Sequence, residues 1–124
     1  MLVAVVGCDA RPHLPAAPIG DHGVLEQLAD AYRTISQQYP VQPGSMRPAG
    51  KKEFVERVFA TAGYSYTATL MACAQRGIDM TNQDQRDLAE LLFLPHKGLA
   101  DADMGDLYSA DELSAIRTIQ AILN

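Results

Sequence analysis

Apolar positions along this chain recur mostly at steps of three and four, the period of helices that bury a single stripe. Val24, Leu25, Leu28, Ala31, Tyr32 and Ile35 set the first stripe, and Asp21 ahead of it is placed to cap the first turn, so a helix is expected over about 22–38. Pro40 and Pro43 stop it, and 41–50, with its prolines and glycines, reads as a loop. Phe54, Val55, Val58, Phe59 and Ala62 form the apolar face of a second helix, about 49–62. Lys51, Lys52, Glu53, Glu56 and Arg57 form its solvated face, and Gly63 its terminating residue. Ser65 caps a third helix ending near residue 76, with Tyr66, Leu70, Cys73 and Ala74 on one face and Gly77 as the stop. Ile78 and Met80 are expected to plug the core from the following turn. Residues 81–84, Thr-Asn-Gln-Asp, are close to a capping box and open a fourth helix that runs to about 93 on Leu88, Leu91 and Leu92. Ser109, Ala110, Asp111 and Glu112 are a full capping box. They start a last helix on Leu113, Ile116, Ile119 and Leu123, widened by Ile122.

The pattern therefore predicts an all-α fold: a compact bundle of four to five short helices over 21–124, preceded by an extended Pro/Ala-rich arm over 1–20. A length of 124 residues suits one domain. Apolar residues at 48% and charged residues at 20% place it among globular chains. A net charge of −5 lacks the basic footprint of a nucleic-acid binder. On the fourth helix, Asp84, Asp87 and Glu90 would face phosphate if it lay in a DNA groove. No apolar run approaches the length of roughly 20 residues that spans a bilayer.

One stretch departs from the helical period. Residues 2–6, Leu-Val-Ala-Val-Val, suit a buried strand, yet the helical remainder supplies no sheet for it to join. The dinucleotide-binding glycine pattern is absent, and prolines follow where a helix would open. Val5-Val6-Gly7-Cys8 resembles the lipobox of bacterial lipoproteins: aliphatic, small or aliphatic, small, then the lipidated cysteine. The resemblance implies that Cys8 accepts the lipid, that 10–18 is a tether, and that the domain is anchored on the periplasmic side of a membrane. Asp9 after the cysteine would signal retention at the inner membrane. Seven uncharged residues precede Cys8, where a full signal carries a basic start and about 7–15 apolar residues, so this reading expects an upstream start.

Candidate chemistry is sparse. Counting from Asp101, the segment 101–112 resembles an EF-hand calcium loop, with Asp101, Asp103, Ser109 and Glu112 at the first, third, ninth and twelfth positions. Gly105 at the fifth position offers no side-chain ligand, and Asp106 stands at the sixth, where glycine is required. The competing reading is an acidic loop whose Ser109 and Glu112 simply cap the next helix. His13, His22 and His96 supply no zinc-ligand pair. Nothing local supplies Cys73 with a base and an electropositive pocket, so it reads as a buried hydrophobe. Tyr39, Met46 and Tyr64 border the Pro-rich loop and the helix ends, and are the candidates for a partner-binding patch beside their packing role. No catalytic constellation emerges. The expected function is a non-enzymatic protein-binding or accessory protein, a membrane-anchored lipoprotein serving as an envelope or secretion accessory or as an immunity or exclusion factor. A cytoplasmic helical adaptor or regulator is the alternative, and a small domain with a degenerate calcium loop is a third.

Overall fold

The computed structural model describes residues 14–96 and 101–123. Among them are six helices and no strand: α1 (His22–Ser36), α2 (Pro48–Thr61), α3 (Tyr66–Arg76), α4 (Gln83–Leu92), α5 (Asp101–Leu107) and α6 (Ala110–Leu123). Single 3-10 turns at Pro43–Ser45 and Leu94–His96 join α1 to α2 and follow α4. The fold is all-α, as the periodicity predicts, with one helix more than expected. That helix, α5, occupies the segment read as a loop. Residues 1–13, which hold Cys8 and the 2–6 run, lie outside the described residues.

Local chemistry sets the helix starts. The side chains of Asp21, Ser65 and Asn82 accept the backbone N–H of Val24, Ala68 and Gln85, satisfying donors that a first turn leaves open. Pro48 opens α2, where its missing N–H costs nothing. Gly63 and Gly77 follow α2 and α3 with φ of 95° and 81°. At Gly77, ψ is 172°, a region that only glycine occupies without strain. A Cβ there would meet nothing closer than Ile122 Cδ1 at 3.8 Å. Gly77→Ala is thus expected to cost about 1–3 kcal/mol through backbone strain alone, read as a lower urea midpoint with an unchanged m-value.

The core is organised around α2. Phe54, Val55, Val58 and Phe59 are wholly buried, and α2 packs against α1, α3, α5 and the 3-10 turn after α4. From α1 come Val24, Leu28, Ala31 and Ile35, from α3 Tyr66, Leu70 and Cys73, from α4 Leu88 and Leu92, and from α6 Ala115, Ile116 and Ile119. Met80, expected in the core, is 38% exposed, because Ile78 alone turns inward from that bend. Ile122 is likewise 39% exposed, beyond the buried stripe of α6.

The described part of the arm, from residue 14, carries no helix and is seated on the bundle. Pro15 C=O accepts the Ser65 N–H at 2.8 Å. The Ala17 N–H donates to Thr69 Oγ1 at 2.9 Å, and that hydroxyl donates onward to Ser65 C=O at 2.7 Å. Ala17 is buried, and Ile19 packs against the core. Residues 15–19, assigned by the sequence pattern to the arm, therefore pack as part of the folded unit. Thr69 is the reason: a wholly buried hydroxyl that accepts the arm's backbone as its partner.

Candidate functional site

Two places bring chemistry-bearing or binding side chains together. The first is a closed polar cluster where the first turn of α6 meets α2 and α3. The capping box forms as the sequence predicts: Ser109 N–H donates to Glu112 Oε1 at 3.0 Å, and Glu112 N–H donates to Ser109 Oγ at 3.2 Å. The other carboxylate oxygen of Glu112 accepts Thr67 Oγ1 from α3 at 2.9 Å and lies 3.7 Å from Lys52 Nζ of α2. Lys52 also pairs with Glu56 at 3.3 Å and stands 5.4 Å from the Tyr108 ring centroid. Tyr66 Oη donates to Leu92 C=O at 2.7 Å and lies 3.4 Å from Tyr108 Oη.

Lys52 was placed by periodicity on the solvated face of its helix. Its side chain is only 15% exposed, and that of Glu112 8%, so the two form a nearly buried pair. Burial alone would raise the Glu112 carboxyl. The Ser109 N–H, the Thr67 hydroxyl and the Lys52 ammonium together outweigh it and hold the carboxyl below its ordinary range. Burial pushes the Tyr108 phenol up to about 12 and raises that of Tyr66 as well. No buried side-chain nitrogen or oxygen among the described residues lacks a hydrogen-bond partner. The cluster's visible work is to lock α6 onto α2 and α3.

This geometry revises the calcium reading. An EF-hand needs an open loop over 101–112, whereas the backbone of Asp101–Leu107 is helical. Glu112, the expected bidentate ligand, is held by Ser109 and Thr67 and faces Lys52. The side chains of Asp101 and Asp103 lie outside the description. Among the described residues no group of three or more His, Cys, Asp or Glu is placed to hold a metal ion.

The three candidate patch residues do not share one surface. Met46 precedes α2 and Tyr64 follows it, so a helix of about 20 Å separates them. The Tyr39 ring packs edge-on against Phe54 at 5.4 Å, and Arg57 donates to its hydroxyl at 3.2 Å. All three side chains are half-buried against the core. His22, unpaired in the sequence reading, lies between two carboxylates: Nδ1 is 3.0 Å from Asp84 and Nε2 3.4 Å from Glu26, four residues on. The hydrogen bond to Asp84, then the charges of Asp84 and Glu26, raise its pKa. Cys73 is a free, buried thiol whose burial raises its pKa to about 11. In the native protein it is expected to resist aromatic disulfide reagents at neutral pH and to react only on unfolding, a difference that absorbance at the reagent's wavelength follows directly.

The second place is a cleft of about 360 Å³ between α1 and α4, lined by Leu25, Leu28, Ala29, Tyr32, Arg33, Asp87 and Leu91. Leu25 and Tyr32 flank the buried stripe of α1 and stay half-buried, because α4 covers Leu28 and leaves them at its edge. Sequence periodicity counts all six stripe positions as core; a stripe wider than its neighbour covers is the only signal the sequence gives of this cleft. Asp87 and Arg33 stand at its rim, and Arg33 pairs with Asp30.

No helix among the described residues is long and apolar enough to cross a membrane. Comparison with family models, with curated proteins and with solved structures found no match.

Proposed function

We propose that this protein is a non-enzymatic binding module that engages a protein partner through the cleft between α1 and α4. The observation that carries the reading is the cleft's composition: Leu25, Leu28, Ala29, Tyr32 and Leu91 make most of its lining between two helices, with one acid, Asp87, and one base, Arg33, beside them. The polar cluster at Glu112 supports the same reading, since its groups are spent on one another inside the fold. A photo-crosslinking residue at position 29 tests it. Adducts of one discrete mass are expected from position 29 and not from exposed Gln75 on α3. Equal labelling from both positions would sink the proposal.

The location proposed with this function is the periplasmic side of a membrane, through a lipid on Cys8. Support comes from the Val5-Val6-Gly7-Cys8 pattern and from the seating of the chain from residue 14. Six chain steps lead from Cys8 to Leu14, a reach of at most about 20 Å, so an anchor at Cys8 would hold the bundle close to the bilayer. Intact-mass measurement of the native protein checks this. A chain beginning at an acylated Cys8 supports it, and an unacylated chain that retains residues 1–7 favours the cytoplasmic adaptor.

A further inference from the structure

From the charge around the α1–α4 cleft we infer that its partner is a cationic amphipathic helix, an apolar stripe flanked by Lys or Arg. The inference rests on the cleft being the binding surface and adds the chemistry of what fills it. α1 and α4 together carry Glu26, Asp30, Asp84, Asp87 and Glu90 against Arg33 and Arg86, five acids to two bases in a chain of net charge −5. Asp87 lines the cleft itself, together with Arg33, and accepts a hydrogen bond from the neutral amide of Gln83 at 2.7 Å. Glu90, three residues on from Asp87 and next to Leu91, is exposed on the same helix. On the α1 side, Glu26 is one turn from Ala29 and pairs with His22 at 3.4 Å, and Arg33, which lines the cleft, is paired with Asp30. A mainly apolar lining on two helices with an excess of acids over arginines fits a helix whose stripe enters the cleft and whose basic flanks meet Asp87 and Glu90. A second copy of this chain fits less well. A two-fold contact on this face would bring together two surfaces with the same acidic excess.

The test uses two model peptides of about five helical turns, identical in their Leu/Ile stripe, one with Lys and one with Glu at every flanking position. Each is titrated into isotope-labelled full-length protein, with affinity from anisotropy and the site from amide shifts. The Lys peptide is expected to bind about tenfold or more tighter than the Glu peptide, with shifts centred on Leu25, Ala29 and Leu91. The double variant Asp87→Lys, Glu90→Lys is expected to reverse the preference. These rim residues are exposed, so the variant keeps the fold, as its circular dichroism would show. Equal affinities at the cleft overturn the cationic partner and leave the cleft standing as a binding surface. Shifts confined to other surfaces, or no binding by either peptide, overturn both. Dimerisation of the free protein through this face would replace the inferred helix with a second copy and overturn it too.

Discussion

Glu112→Ala is expected to destabilise the domain by about 3 kcal/mol, at the lower end of the cost of breaking a buried ion pair by removing one partner. Three losses combine. The Ser109 N–H gives up its acceptor and α6 its capping box, a change worth about 1 kcal/mol. The Thr67 hydroxyl loses the oxygen it donates to at 2.9 Å. Lys52, 15% exposed, keeps Glu56 as its one anionic partner among the described residues. Lys52→Met should cost less, because the Glu112 carboxylate still accepts from Ser109 and Thr67 while the methionine stem fills the space beside Tyr108. Urea unfolding of the two single variants and of the double variant Lys52→Met, Glu112→Ala gives the coupling between them. A coupling near zero would show that Lys52 and Glu112 are neighbours without being a pair.

The same carboxylate makes stability depend on pH in a stated direction. Its folded pKa is depressed, so its contribution is present in full above the unfolded carboxyl's value of 4.5 and is lost as pH falls through the lower folded value. Wild-type stability should therefore drop on acidification below about pH 4.5 more steeply than that of Glu112→Gln, which carries no titrating group there. Parallel profiles for the two proteins would remove Glu112 from the account of acid unfolding.

What the sequence made legible follows from the range of its signals. Helices α1 to α4 and α6 are written locally, in stripes and in the caps Asp21, Ser65 and Ser109, and they form within a few residues of expectation. Helix α5 was missed because Asp101, Asp103, Gly105 and Asp106 are poor helix formers. The spacing of Met104, Leu107 and Tyr108, at i, i+3 and i+4, carried the contrary signal, and burial of Met104 and Tyr108 decided the outcome. Lys52 was misplaced for a different reason. Its helix presents it with Lys51 and Glu53 on a polar face, and the residues it meets, Tyr66, Tyr108 and Glu112, come from later in the chain. The seat of the arm is equally non-local: nothing around Ala17 announces that Thr69, 52 residues on, will accept its N–H. The cleft was half legible, since Leu25 and Tyr32 are plain in the α1 stripe, while the gap that leaves them uncovered depends on where α4 lies.

Phe54→Ala is the core substitution with the largest expected effect, about 3–5 kcal/mol, and it reaches the proposed binding surface. The Phe54 ring is wholly buried in α2 and takes two edge-on contacts, from Tyr32 at 5.0 Å and from Tyr39 at 5.4 Å. It thereby helps to fix Tyr32, which lines the α1–α4 cleft. Removing the ring leaves a cavity that neighbouring helices can only partly close, and it frees Tyr32 to change rotamer. Phe54→Leu separates the two consequences. Leucine restores most of the volume, so its stability cost should stay near or below about 1.5 kcal/mol, yet it offers no ring face for Tyr32. Thermal and urea unfolding are expected to rank wild type above Phe54→Leu and Phe54→Leu above Phe54→Ala. Affinity for the Lys-flanked peptide is expected to fall already in Phe54→Leu. Tyr39→Phe, which removes only the exposed Arg57 hydrogen bond and keeps the ring contact, serves as the reference and should stay within about 0.5 kcal/mol of wild type. If Phe54→Ala costs no more than Tyr39→Phe, the α1–α2 contact is not what holds Tyr32, and the cleft's shape must come from α4 instead.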